Sequence, residues 1–133
     1  MKDKQRLFSL LWIFVTLNYL YCDVLTLMDS NLLKQILSGK VGSITMNEGF
    51  LLGAGILMEI PMAMILVSRL VREGLCKWLN VAAALIMTLV QIATLIGPST
   101  MYYKFFSAIE TTTTLSILVI ALRWKTESTE AAK

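Results

Sequence analysis

Four long apolar runs constrain the fold of this chain more than any other feature. They cover residues 7–28, 50–70, 76–96 and 102–122, and they account for a hydrophobic content of 56%. Each run is about 20 residues long, which is the length that a helix needs to cross the roughly 30 Å hydrocarbon layer of a membrane. Membrane-spanning strands are shorter and alternate between polar and apolar residues, and these runs do not alternate. The sequence therefore predicts an all-α integral membrane four-helix bundle, formed by one domain over residues 1–133.

The connections between the runs predict an up-down-up-down order of the helices. Loops 71–75 and 97–101 are short, so the helices that they join are expected to be antiparallel neighbours. Loop 29–49 is long, and it is predicted to contain a short interfacial helix capped by Asp29 or Ser30. This helix either fills space at the membrane surface or covers the bundle as a lid. The polar tail, 124–133, is expected to be disordered.

The distribution of positive charge predicts the orientation of the bundle. Nine of the twelve Lys and Arg residues lie on the side of the chain termini, namely Lys2, Lys4, Arg6, Arg69, Arg72, Lys77, Arg123, Lys125 and Lys133. The other two loops contain only Lys34, Lys40 and Lys104. Because cytoplasmic loops carry the excess of basic residues, both termini are expected in the cytoplasm. Topology thus accounts for the net charge of +3, and nucleic acid is not an expected partner.

The start of the chain and its cysteines argue against several other roles. The first run is too long for the apolar core of a signal peptide, and no A-x-A-like cleavage site follows it. Cys22 and Cys76 are expected near opposite faces of the membrane, too far apart for a disulfide. The chain has no histidine, so neither a transition-metal site nor a cofactor is expected. Oxygen ligands alone would suit Ca²⁺, Mg²⁺ or Mn²⁺, but the sequence gives no metal-binding pattern.

Polar side chains inside the runs predict a functional site. Asp23, Glu59 and Glu110 lie about 8, 14 and 12 Å from the outer ends of their helices, counted at about 1.5 Å per residue. Gln91 lies about 9 Å deep by the same count. Each helix thus contributes one strongly polar group, and all four groups lie in the outer half of the membrane. We expect them to form one pocket that opens toward the outside.

Helical spacing favours the same interpretation, because residues three or four apart share one face of a helix. The predicted faces are Thr16, Tyr19, Asp23 and Thr26; Gly55, Glu59, Ala63 and Leu66; Asn80, Ala84, Gln91 and Thr94; and Tyr103, Ser107, Glu110 and Thr114. Asn18 is a further candidate hydrogen-bond partner of the acids. Together these faces predict a bundle with a polar core in its outer half and an apolar exterior.

Pro61 is predicted to kink the second helix. Proline removes one backbone N–H and clashes with the carbonyl four residues earlier, that of Leu57. In a membrane the freed carbonyl needs a partner from the protein or a hydrated cavity. Glu59, when protonated, is a candidate donor. The alternative is a kink that serves helix packing alone.

The expected state of the three acids follows from the lack of counter-charges. No Lys, Arg or His lies at their depth. A charge at the centre of a span costs roughly 2.5–3.5 kcal/mol, so three bare carboxylates would cost on the order of 8–10 kcal/mol. The acids are therefore expected to be protonated, hydrated or bound to a cation. Acids that stay neutral and hydrogen-bonded would instead serve as a scaffold.

These observations leave three functions open. The first is a carrier or receptor that takes protons and a cationic or amphipathic small molecule, with Gln91 orienting the ligand and Tyr19 and Tyr103 supplying cation–π or apolar contacts. The second is a non-catalytic structural or assembly subunit, acting in a membrane complex or as a homodimer. The third is an isomerase-like enzyme on a lipid or sterol-like substrate, for which no catalytic residue is identified.

Three segments, NYLYCDVLTLMD, EGFLLGAGILMEIPMAMILVSRL and FFSAIETTTTLSI, resemble a bacterial family of short four-helix membrane proteins of unknown function. DVLTLM and MEIPMAM are the most distinctive parts of this resemblance, which covers nearly the whole chain. The resemblance implies four spans in a bacterial inner (plasma) membrane and implies no particular activity. At the level of the fold the chain is also similar to DoxX-like proteins and to the sterol-isomerase and sigma-2-receptor group, whose intramembrane acids bind amines.

Overall fold

A computed structural model describes residues 2–97 and 99–126 of the chain. Its elements, in chain order, are α1 (Lys2–Met28), α2 (Ser30–Leu37), β1 (Lys40–Val41), β2 (Ile44–Thr45), α3 (Glu48–Leu70), α4 (Glu73–Thr94) and α5 (Met101–Arg123). Four of these helices, α1, α3, α4 and α5, are long and apolar enough to cross a membrane. The predicted all-α membrane bundle of four spans is therefore confirmed.

The four spans form a ring in which α1 packs against α3 and α5, and α4 packs against the same two helices. Helices α1 and α4 also touch across the middle of the ring. The bundle has two ends, which we call the α2 end, where α2 joins α1 to α3, and the terminal end, where the chain starts and α5 stops. The short turn after Leu70 lies at the terminal end, so α3 and α4 are antiparallel neighbours.

The long loop at the α2 end is ordered by a helix cap and a small hairpin. The Asp29 side chain accepts hydrogen bonds from the backbone N–H groups of Asn31 and Leu32, which have no partner inside α2. The Tyr102 hydroxyl lies 3.4 Å from Asp29 Oδ2 and links this cap to the start of α5. Strands β1 and β2 pair antiparallel, and Gly42 in the turn between them has φ 58°. The sequence did not predict the hairpin, because strands of two residues are too short to show alternation.

The half of the bundle at the terminal end has a closed core that joins three spans. Trp12 is fully buried, and its indole N–H donates to Asn80 Oδ1 over 2.7 Å. The Asn80 amide in turn donates to the Cys76 carbonyl over 2.8 Å and to the Ser68 hydroxyl over 3.3 Å. Because a polar group inside a membrane has no water to bind, these bonds fix α1, α3 and α4 in one arrangement.

Two residues beyond the end of α5, Trp124 and Thr126, are buried. The ring of Trp124 lies 5.6 Å from that of Phe8, and Trp124 is almost fully buried. Thr126 is buried as well. Both residues belong to the segment 124–133, which the sequence predicts to be disordered. The start of this segment is therefore ordered in the structure. Residues 127–133 of the tail lie outside the described residues.

Helix α3 presents a different face to the bundle from the one that the sequence predicts. Its buried residues are Pro61, Met64 and Ser68, which lie three and four positions apart. Glu59 precedes Pro61 by two residues, or roughly 200° around the helix axis, and it is exposed on the outer side of α3. The helix continues through Pro61 from Glu48 to Leu70.

Candidate functional site

A cavity of about 330 Å³ lies between the four spans, in the half of the bundle nearer the α2 end. Every span contributes to its wall. The lining residues are Tyr19, Cys22 and Asp23 of α1, Phe50, Ala54, Leu57 and Met58 of α3, Met87, Val90, Gln91 and Thr94 of α4, and Tyr103 and Glu110 of α5. The cavity thus begins where the hydrogen-bonded core of the terminal half ends.

Two carboxyl groups face the cavity from different helices. Glu110 is only 2% exposed, so its carboxyl belongs to the interior of the bundle. Asp23 lines the same cavity but is exposed, which places it at the mouth. The two acids lie within electrostatic range of each other. None of the described residues that line the cavity is basic, so the site has acids without a counter-charge.

Two buried polar atoms in the cavity wall have no hydrogen-bond partner among the described residues. They are the hydroxyl oxygen of Tyr19 and Oε1 of Glu110. Leaving such an atom unpaired away from water costs on the order of 1–3 kcal/mol. Both residues line the same cavity, so a small movement of the Tyr19 and Glu110 side chains would bring these buried atoms to a polar or charged occupant.

Hydrogen bonds between α4 and α5 hold the polar side of the cavity in place. The Gln91 side-chain amide donates to the Ser107 hydroxyl over 2.7 Å. Further from the α2 end, the Thr88 and Thr114 hydroxyls are 2.8 Å apart. Ser107 lies one turn from Glu110 on the same helix face, so the Gln91–Ser107 bond sets the position of Glu110 relative to α4.

Part of the cavity wall is apolar. It is formed by Phe50, Leu57 and Met58 of α3 and by Met87 and Val90 of α4. Methionine side chains are unbranched and flexible, so this wall can adapt to ligands of different shape. A cavity with acids on one side and adaptable apolar groups on the other is suited to an amphipathic cation.

The structure brings together five of the residues that the sequence predicts for the site. Asp23, Glu110, Gln91, Tyr19 and Tyr103 all line the cavity. Their helices meet there because the polar faces of α1, α4 and α5 point inward, as the three-and-four spacing predicts.

The other predicted residues lie elsewhere. Asn18 donates to the Phe14 carbonyl of its own helix, and Thr114 is held by Thr88. Pro61 is buried inside α3 but does not line the cavity. Glu59 faces away from it, so the prediction that Glu59 and Glu110 share one pocket is wrong. The physical reason is the rotation of α3, which buries the face of Pro61 and Met64 instead.

Several cavity residues were missed by the sequence prediction, and Cys22, Leu57 and Met58 are among them. Cys22 lies three positions after Tyr19 and one before Asp23, so helical spacing from Tyr19 would have found it. Leu57 and Met58 carried no such signal, because they are apolar residues in a helix that is apolar on almost every side. Both cysteines, Cys22 and Cys76, are buried free thiols.

The rest of the described structure offers no comparable site. No group of three or more His, Cys, Asp or Glu residues within 2–97 and 99–126 is arranged to hold a metal ion. Three larger surface depressions, of about 580, 550 and 400 Å³, include Lys104, Arg123 and Ser116 respectively. No acid is among the described residues that line any of the three.

Comparison with known proteins places the whole chain in one family. A model of that family, described as a family of unknown function (DUF6326), matches residues 1–131. Neither the curated proteins nor the solved structures gave a match. The match does not bear on the looser similarity to DoxX-like proteins. Since it covers nearly all of the 133 residues, the chain belongs to the DUF6326 family of unknown function.

Proposed function

We propose that this protein is a small carrier or receptor whose acidic cavity takes protons and a cationic or amphipathic small molecule. One observation carries the proposal: Glu110 and Tyr19 carry unpaired buried polar atoms in the wall of a cavity that has two acids and no basic residue among its described lining. Buried acids within membrane spans are functional by default, because hydrocarbon makes them costly to keep.

The lining of the cavity defines the class of ligand. The carboxyl groups of Asp23 and Glu110 favour a positive charge, and the faces of Tyr19 and Tyr103 add cation–π contacts. Met58 and the apolar wall around it would hold a hydrophobic group. A volume of about 330 Å³ is at the lower end of the roughly 300–1,000 Å³ of small-molecule sites, which suits a small organic amine.

Protons and the amine would compete for the same carboxyl groups. An amine cation binds a carboxylate and is repelled once the carboxyl is protonated and neutral. Binding is therefore expected to weaken as the pH falls. In a carrier, this competition would let protons displace the amine from the cavity. In a receptor, it would make the affinity for the amine depend on pH.

The amine specificity can be measured on the purified protein in lipid nanodiscs. Phenethylamine should raise the thermal unfolding temperature in a saturable way, since ligands that bind the folded state stabilise it. Propylbenzene has nearly the same shape without the charged nitrogen, and it should give little or no shift. Equal shifts with both compounds, or none with either across a panel of lipophilic amines, would contradict a cation site.

We place the protein in the inner (plasma) membrane of a bacterium, with both termini in the cytoplasm. The support is the excess of basic residues at the terminal end, nine against three. In this orientation the cavity opens toward the outside.

Single cysteines will test this orientation. In a background lacking Cys22 and Cys76, a cysteine at exposed Ser38 should react with a membrane-impermeant maleimide in intact cells. A cysteine at Glu73, the first residue of α4 at the opposite end, should react only after the membrane is permeabilised. The opposite labelling pattern would place the cavity on the cytoplasmic side.

A non-catalytic structural subunit is the second candidate function. The hydrogen bonds that favour it are those joining spans, Trp12 to Asn80, Gln91 to Ser107 and Thr88 to Thr114. They show that much of the intramembrane polarity connects helices. A scaffold role leaves the unpaired atoms at Tyr19 and Glu110 unexplained, which is why we prefer the carrier or receptor.

A further inference from the structure

Within residues 2–97 and 99–126, no hydrogen bond or ion pair holds the Glu59 side chain, and lipid tails offer it none. Its side chain is exposed on the outer side of α3, about 14 Å from the start of the span at 50, where hydrocarbon would surround it. The basic residue of α3, Arg69, is ten residues, or about 15 Å, further along the helix. Lipid tails cannot accept or donate hydrogen bonds, so a carboxyl at this depth requires a protein or a water-filled volume beside it.

The exposed residues around Glu59 form a regular seam. The six residues are all exposed, are spaced alternately three and four positions apart, and are here called the α3 seam: Leu52, Gly55, Glu59, Met62, Leu66 and Arg69. The buried residues of α3, Pro61, Met64 and Ser68, lie on the opposite side of the helix. Residues spaced in this way can line a contact with a second helix along a left-handed supercoil.

We propose that the α3 seam is the interface of a parallel homodimer, in which the Glu59 carboxyl groups of two copies hydrogen-bond to each other. A two-fold axis along the membrane normal places each residue at the same depth as its counterpart. A protonated carboxyl is both a donor and an acceptor, so it is complementary to a second carboxyl. A hetero-partner would instead have to offer its own polar group at the same depth.

Two other features of α3 fit this dimer. A Cβ added at Gly55 would meet nothing within 4 Å, so the backbone there is open to close approach by a second helix. A single polar residue at a core position of a helix pair fixes its register and its number of strands. The cavity residue Leu57 lies roughly 160° from Glu59 around the helix axis, so pairing along the seam would leave that part of the cavity wall in place. The dimer therefore does not depend on the proposed function.

Disulfide cross-linking in native membranes tests the interface. In a background with Cys22→Ala and Cys76→Ala, Leu52→Cys and Leu66→Cys should each give mostly cross-linked dimer with copper phenanthroline. Leu17→Cys on α1 and Leu89→Cys on α4 are matched controls, since these leucines are exposed to a similar extent. The controls should remain monomeric. Cross-linking of the seam no greater than that of the controls would overturn the proposal.

A charge exchange separates a second copy from a different partner. Glu59→Lys should no longer capture a differently tagged Glu59→Lys chain, because two like charges would meet at one depth. Mixed with the parent, it should form the Glu–Lys pair and co-purify at least as well as two parent chains do. Glu59→Gln, which keeps hydrogen bonding, should stay dimeric, and Glu59→Leu should weaken the dimer about tenfold. Failure of the parent to capture either itself or Glu59→Lys would show that another protein covers the seam.

Discussion

Replacing Glu110 by glutamine should weaken phenethylamine binding by roughly 10- to 100-fold and remove its pH dependence. The substitution keeps the size of the side chain and a hydrogen-bonding group but removes the negative charge that the amine needs. Hydrogen bonds to charged groups contribute about 1.5–3 kcal/mol, which corresponds to this range of affinity. Calorimetry or a thermal-shift titration in nanodiscs at two pH values will measure both effects.

The matched control for this variant is Glu59→Gln. Glu59 undergoes the same chemical change at a similar depth, but it lies outside the cavity. The control should bind phenethylamine with the affinity and pH dependence of the parent. If both variants lost binding equally, a long-range effect on the bundle would replace direct contact as the explanation. If neither lost it, the carboxyl of Glu110 would not be the cation site.

Replacing Trp12 by alanine should cause the largest loss of stability of any single truncation in the bundle, about 3 kcal/mol. Trp12 is fully buried at the centre of the terminal half and also donates to Asn80. Removal of a buried tryptophan leaves a void that its neighbours fill only in part. It also leaves Asn80 without one partner in a region that excludes water. Reversible unfolding in mixed lipid–detergent micelles will give the difference in free energy.

Trp78→Ala is the control for the Trp12 variant. Trp78 is 63% exposed on the outer surface of α4, so its loss should change the free energy of unfolding by less than about 1 kcal/mol. Trp12→Phe should fall between the two, since it keeps most of the ring but not the N–H. Equal destabilisation by Trp12→Ala and Trp78→Ala would mean that the hydrogen-bonded core does not hold the spans together.

The two predictions separate the two halves of the bundle. The terminal half is closed by hydrogen bonds from Trp12, Asn80 and Ser68, while the half at the α2 end leaves polar atoms of Tyr19 and Glu110 unpaired. The rigid terminal half can hold the half at the α2 end in position, although polar atoms there lack hydrogen-bond partners. Binding sites need such rigid support around their polar groups. Stability is therefore expected to depend on the first half and binding on the second.

The number and length of the spans were determined by the sequence alone. A run of about 20 apolar residues has no other economical structure in a membrane, because each backbone polar group must be paired within the segment. The inward faces of α1, α4 and α5 were equally predictable. Tyr19, Gln91 and Glu110 each lie on a different helix, in a polar face whose residues are spaced three or four apart. Only one rotation of each helix turns that face away from the lipid.

Only the tertiary structure decided the rotation of α3 and, with it, the composition of the cavity. This helix has the highest hydropathy of the four spans, so several of its faces could be buried at similar cost. The position of Glu59 suggested one rotation, but the packing of Pro61 and Met64 against the bundle selected another. In lipid there is little hydrophobic penalty for an apolar face that stays outside, and close packing decides which face turns inward. That selection left Glu59 on the outer surface and lined the cavity with Leu57 and Met58 of α3 instead.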